Sequence, residues 1–205
     1  MPLLTIDKLR TPLIGPFSLA LAPGECALLS GPSGVGKSLL LRAIADLDPN
    51  QGEVWLGDTE RSTMPAPQWR RQVGYLPATS GWWAERVGDH GLTAASPCLS
   101  RLGFATEAMA WPIARLSSGE RQRLALVRLL ANDPHVVLLD EPTANLDPRL
   151  TATVEACITD YLRQHAAAAL WVSHDRDQQQ RLADRAWVMT SATQLEPATR
   201  QAPAA

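Results

Sequence analysis

The amino-acid sequence predicts an α/β fold: a mostly parallel core sheet with helices on its faces, a small antiparallel β subdomain and a compact helical insertion. Three observations predict it. An apolar run, Glu25 to Ser30, passes through a glycine-rich loop into the periodic stretch Leu39 to Leu47, a strand-loop-helix order. Four apolar residues, Val136 to Leu139, run directly into Asp140 and Glu141, as in a central parallel strand covered on both faces. Leu3 to Leu9 and Phe17 to Leu21 alternate apolar and polar residues, as half-buried strands do. A chain of 205 residues, 45% hydrophobic, can bury a sizeable core, read as one domain over 1–190 with the insertion at about 79–132. Residues 191–205 are mostly Ala, Thr, Pro and Gln without pattern and are expected to fray.

In chain order, the two alternating segments make the small antiparallel sheet. The loop that follows reads Gly31, Pro32, Ser33, Gly34, Val35, Gly36, Lys37, Ser38. Its glycines permit positive φ, so successive backbone N–H groups can face phosphate oxygens at a helix N-terminus, where the dipole also favours anions. Lys37 can then reach the β and γ phosphates, and the Ser38 hydroxyl suits Mg²⁺. The plainer alternative is a glycine-rich turn into a core helix. Asp48 to Gly52 breaks the chain, and Glu53 to Leu56 and Gln72 to Leu76 read as further strands. From Thr79 to Pro112 periodicity is weak, with Gly81, Gly88, Gly91, Pro97 and Gly103, a small and partly helical insertion. Ser117 and Glu120 have capping-box spacing ahead of an amphipathic helix through Leu124, Val127, Leu130 and Ala131, ending near Asn132 to Pro134. That helix start is complete as structure and equally able to serve as a second anion site. In the next strand Asp140 would hold Mg²⁺ directly or through water, and Glu141 would polarise water attacking the γ phosphate. Asp147 and Pro148 have N-cap and N1 character, and His174 ends the apolar run Ala169 to Ser173.

Composition excludes several classes. Nineteen Lys and Arg against 21 Asp and Glu give a net charge of −2, which leaves no general basic face and no expected nucleic-acid partner. No apolar run approaches the roughly 18 residues of a membrane span. Asp7 falls inside what would be a leader's apolar core, so a secretory signal is not expected. Cys26, Cys98 and Cys157 lack C-x-x-C spacing and read as reduced, small packing residues.

Five ordered segments, Gly31 to Ser38, Leu116 to Glu120, Val136 to Glu141, Ala144 to Asp147 and Val172 to Asp175, together resemble the nucleotide-binding subunits of ABC transporters, a branch of the P-loop NTPases. The resemblance implies Walker A at Gly31 to Ser38, Walker B at Val136 to Asp140, the catalytic glutamate at Glu141 and the switch histidine at His174. It further implies the signature at Leu116 to Glu120 and the D-loop at Asn145 to Asp147. In that family two subunits pack head to tail around ATP, so Ser117, Ser118 and Gly119 of one chain would meet the γ phosphate held by Lys37 of the other. The implied protein is an MgATP-dependent ATPase at the inner face of the cell membrane, energising a separate transmembrane permease. Leu170 to Asp177, with Leu182 to Arg185, is more weakly similar to short bacterial ATPases of metal or iron export; haem-export ATPases are rivals within the class. A nucleotide-binding regulatory protein with little hydrolysis, and an ABC ATPase with no transport role, are the alternatives.

The chain departs from the family pattern in places. Ala78 stands where the family has a glutamine that touches Mg²⁺ or the attacking water, with Thr79 or Ser80 as substitutes through water. Asp7 to Gly15 lacks the aromatic residue on which the family stacks adenine, and Ser118 replaces a frequent glycine. The stretch from Ala78 to Leu116 is compact for the family's helical subdomain. Trp82 and Trp83 lie where the family meets its membrane partner and read either as partner contacts or as subdomain core; the other tryptophans read as packing residues.

Overall fold

A computed structural model describes residues 1–198. Its first layer is an antiparallel sheet of β1 (Leu4–Arg10), β2 (Phe17–Leu21), β4 (Gln51–Leu56) and β5 (Thr59–Glu60), in the order β2-β1-β4-β5. Alternation in β1 turns Leu4 and Ile6 inward, then slips at a bulge that brings Leu9 in as well. Gly52 is required at this bulge: φ is +99°, and a Cβ there would lie 2.4 Å from the Lys8 carbonyl oxygen.

The second layer is a six-stranded sheet containing β3 (Cys26–Ser30), β6 (Val73–Leu76), β7 (Val136–Asp140), β8 (Ala168–Val172), β9 (Arg185–Ser191) and β10 (Gln194–Pro197). The order is β10-β9-β3-β8-β7-β6, parallel except for β10 against β9. Strands β7 and β8 are buried along their whole length, which is why neither shows alternation. Their side chains feed two cores, one on each face. Val137, Leu139, Ala169 and Trp171 pack with α3 (Ser118–Leu130) and α4 (Pro148–His165). Val136, Leu138, Leu170 and Val172 pack with α1 (Lys37–Ile44) and the antiparallel sheet. Trp69, on α2 (Ala66–Gln72), is fully buried against this second core and donates from Nε1 to the Ile44 carbonyl at 2.9 Å. One further helix, α5 (Arg176–Leu182), follows β8. Among the described residues no helix is long and apolar enough to cross a membrane.

Three expectations need correction and one, the partly helical insertion, needs refining. The first helix stops at Ile44, not Leu47, because the chain turns to positive φ at Asp46. Gln72 closes α2, so β6 begins only at Val73. Residues 79–117 contain no α-helix, only 3₁₀ turns at Gly88–His90, Thr106–Ala110 and Ile113–Arg115. Glycine and proline interrupt every run there, yet Leu92, Leu99, Leu102 and Phe104 still bury themselves. Finally, the fold continues past residue 190: β9 runs to Ser191 and Gln194–Pro197 adds an edge strand, with Leu195 opposite Met189. The rest of the expected tail, 199–205, lies outside the described residues.

Candidate nucleotide site

The glycine-rich loop leaves the carboxyl end of β3 and packs tightly on its surroundings. A Cβ at Gly31 would sit 2.3 Å from the Met189 carbonyl oxygen, and one at Gly36 would sit 2.5 Å from Ile14 Cγ2. These glycines are therefore demanded both by φ, +140° and +116°, and by space. Gly36 is the N-cap of α1, with no side chain capping it, so the first-turn amides stay available to an anion. Lys37 is buried, and its ammonium donates to the Gly31 and Pro32 carbonyls at 2.8 and 2.9 Å, folding back over the loop. Burial pulls its pKa below the ordinary lysine value, against the opposing pull of Glu141 and Asp140. Ser38 is exposed beside it.

The carboxylates approach from β7, two strands away. Asp140 is buried and accepts a hydrogen bond from the Tyr75 hydroxyl at 3.2 Å, an arrangement that sequence reasoning missed. Burial, and then the neighbouring Asp140 charge, push the Tyr75 phenol well above its usual pKa, so it remains a proton donor. Its signal was positional: Tyr75 opposes Leu138 across paired parallel strands. Glu141 turns out of the strand at φ +49° and lies 3.2 Å from His174 Nε2. Both are partly exposed, at the carboxyl ends of β7 and β8, where parallel sheets form their ligand crevice. Lys37, Asp140, Glu141 and His174 thus gather at one edge of the sheet.

Behind them runs a polar network with no distinct sequence signal. Gln178, nearly fully buried, donates to Thr143 Oγ1 at 3.0 Å and Glu155 Oε1 at 2.9 Å, and Arg181 pairs with the same Glu155 oxygen at 2.8 Å. It ties the turn after Glu141 to the helix after His174.

The Ser117 motif stands apart. Ser117 and Glu120 form a complete capping box, 2.8 Å from the Ser117 N–H to Glu120 Oε2 and 3.2 Å from the Glu120 N–H to Ser117 Oγ. The Ser117 backbone hydrogen bond holds the Glu120 carboxyl below the usual range. Among the described residues, Ser117, Ser118 and Gly119 make no hydrogen bond or ion pair to Lys37, Ser38, Asp140 or Glu141. A Cβ on Gly119 would instead meet Leu146 at 3.1 Å. Asp147 accepts from the Arg149 and Leu150 N–H groups, both at 2.9 Å, capping α4.

At the family-glutamine position Ala78 is exposed, with Thr79 exposed beside it. Ser80 gives its proton to Gln122 Oε1 at 2.6 Å while Gln122 donates to the Pro77 carbonyl at 2.9 Å, so this hydroxyl is committed to α3 rather than to the group around Lys37. Trp82 packs partly buried against the insertion core, 4.7 Å from His90, whereas Trp83 is 73% exposed. Trp82 thus fits the subdomain-core reading, and Trp83 does not belong to that core.

A family profile described as ABC transporter matches residues 14–144. A lipoprotein-releasing system ATP-binding protein, LolD of Maricaulis maris, is 39% identical over 192 residues, covering 81% of this chain and 81% of its own. The aliphatic sulfonates import ATP-binding protein SsuB 1 of Pseudomonas fluorescens is 38% identical over 179 residues, 85% of this chain and 66% of its own. An ATP-binding protein named for iron export, FetA of Escherichia coli, is 34% identical over 179 residues, 81% of this chain and 80% of its own. Among solved structures, a bacterial Atm1-family ABC exporter with ATP bound superposes with a TM-score of 0.80 at 18% identity, covering 95% of this chain and 39% of that one.

Proposed function

Since the chain belongs to the ABC transporter family, we infer that it is the ATP-binding, ATP-hydrolysing subunit that drives a separate membrane-embedded permease. The uncapped α1 amides, the close-packed glycines and buried Lys37 fit a triphosphate; Ser38 and Asp140 fit a magnesium ion by their hard oxygen donors. When bound, that ion neutralises charge on the β and γ phosphates. Lys37 exchanges its two loop carbonyls for phosphate oxygens, which costs little because one set of acceptors replaces another. Glu141 accepts hydrogen-bonded water and orients it for in-line attack, and His174 holds the Glu141 carboxylate on the side from which attack occurs.

The observation that carries the reading is the separation of the Ser117 motif from the Lys37 edge within one chain. With the Ser117 N–H taken up by Glu120 in the capping box, the Ser117 hydroxyl proton and the Ser118 and Gly119 amides at the start of this 13-residue helix would serve an anion brought from outside the chain. A second copy packed head to tail would supply it, with Asp147 beside the join, completing two equivalent sites. Such a dimer would work against the inner face of the membrane with Trp83 turned toward the permease. Relatives at 34 to 39% identity are named for iron, sulfonates and lipoproteins, so likeness at this level does not fix a cargo, which the permease would select.

The test is ATP hydrolysis by the purified protein beside a Glu141→Gln variant. Turnover in the first, its loss by about 10²-fold or more in the second, and an ATP-dependent dimer of the variant by gel filtration are expected. Binding without turnover in the unmodified protein would favour a nucleotide-dependent switch instead.

A further inference from the structure

The three cysteines are scattered in sequence, but the fold brings two of them together. Cys157 is buried on the inward face of α4, and Cys98 lies partly exposed in the irregular insertion. Cys98 packs against the core cluster that contains Cys157, and the two sulfurs are near enough to shift one another's protonation. Cys98 holds φ +60°, a left-handed conformation that a non-glycine residue keeps only where its neighbours hold it. Arg101 anchors the same segment to α4 through an ion pair with Asp160 at 2.8 Å, and its charge favours thiolate at Cys98.

Access is unequal. An open cavity of about 390 Å³ is lined by Ala94, Ser96, Cys98, Arg101, Phe104 and their neighbours; Cys157 is not among the lining residues. The outer thiol is thus reachable by a small solute, while the inner one is reachable only by the outer sulfur. The neighbouring Cys157 thiol pulls the Cys98 pKa down from the ordinary thiol value and itself stays protonated. Cys26 is buried elsewhere, beside Asp184 and Glu25, and burial pushes it up to about 12.

We propose that Cys98 and Cys157 are an attacking and resolving thiol pair that hydrogen peroxide converts to an intramolecular disulfide. The Cys98 thiolate gives its electron pair to one peroxide oxygen. The O–O bond breaks, Cys98 becomes a sulfenic acid, and the departing hydroxide takes up the proton lost by Cys98, leaving as water. The Cys157 sulfur then attacks the sulfenic sulfur; the S–S bond forms, the S–O bond breaks, and hydroxide leaves with the Cys157 proton as a second water. Two thiols lose two electrons and one peroxide gains them. Thiol reductants reverse the step, in keeping with the transient disulfides of reducing compartments.

The disulfide would fasten the insertion to α4. That segment already reaches α3, since Arg123 donates to the Leu102 carbonyl and stacks 4.8 Å above Phe104. The bond therefore acts near the helix that Ser117 begins.

The full-length reduced protein is treated with hydrogen peroxide, its remaining thiols alkylated, and its peptides mapped by mass without reduction. A Cys98–Cys157 cross-link lighter by two hydrogens is expected, with Cys26 alkylated and the link removed by dithiothreitol. In Cys157→Ser, Cys98 should accumulate as a dimedone-reactive sulfenic acid. Alkylated Cys98 and Cys157 after peroxide, Cys98 over-oxidised without a link, or links only between chains would each overturn the proposal. The map of the unsubstituted protein decides even if the variant misfolds.

Discussion

At the residue scale, single side chains decide how the proposed nucleotide site is held. Tyr75 is the clearest case: its hydroxyl steadies a buried carboxylate proposed to hold magnesium. Tyr75→Phe keeps the ring and removes one hydrogen bond to a charged group, worth about 1.5 kcal/mol. The expected result is a magnesium requirement raised by up to about tenfold with little change in thermal stability, read from ATPase activity titrated with the metal. Ala78 makes the complementary case. Its methyl can neither donate nor accept, and Ser80 is engaged with Gln122. Ala78→Gln should raise turnover by several-fold in the presence of the permease; unchanged activity, with and without it, would show that this position limits nothing. Glycine legibility was complete where chemistry demanded glycine. Gly31 and Gly36 stood out as a loop motif, and the structure adds the Met189 carbonyl and Ile14 as the atoms that exclude a larger residue. Tyr75 was not legible, because its partner is 65 residues away and only strand pairing brings them together.

At the scale of elements, what could be read from sequence was what depends on local pattern. The four-residue apolar run of β7 and the period-two alternation of β2 appear as strands, and Ser117 and Glu120 appear as a capping box. The insertion was legible as partly helical but not in its detail, because its helices before α3 are 3₁₀ and its order comes from tertiary burial of Leu99, Leu102 and Phe104 rather than from helical periodicity. Strand β10 was missed because Gln194–Pro197 has no pattern of its own and is defined by pairing with β9. The capping box makes a prediction of its own. Ser117→Ala should cost about 1 kcal/mol, read as a lower urea midpoint at unchanged slope. Glu120 supplies the pH dependence. Its folded pKa lies below its unfolded one, so its contribution is complete above the unfolded carboxylate range near ~4.3 and is lost as pH falls through the folded value. The stability gap between the natural protein and Glu120→Gln should therefore close on acidification. At the β1 bulge, Gly52→Ala should cost about 1 to 3 kcal/mol, since both φ and the Lys8 carbonyl oppose a Cβ.

At the scale of the whole molecule, the two faces of the central sheet divide the labour. One face carries α1 and the antiparallel sheet beside the glycine-rich loop, and the other carries α3, α4 and the insertion. The proposed dimer needs both, because each face presents half of a site. The strand order has another outcome, felt while the protein is being made. Strand β3 lies between β8 and β9, so residues 26–30 have no sheet neighbours until residues 168–191 have been synthesised. The segment that leads into the glycine-rich loop must wait, with Leu28 and Leu29 uncovered, through most of translation. Ribosome-bound chains arrested before β8 emerges should be cut by protease around residues 26–47, and chains arrested after β9 emerges should be protected. The nascent chain should accordingly be a client of apolar-binding chaperones for most of its synthesis, and release from them should coincide with the appearance of its last parallel strand.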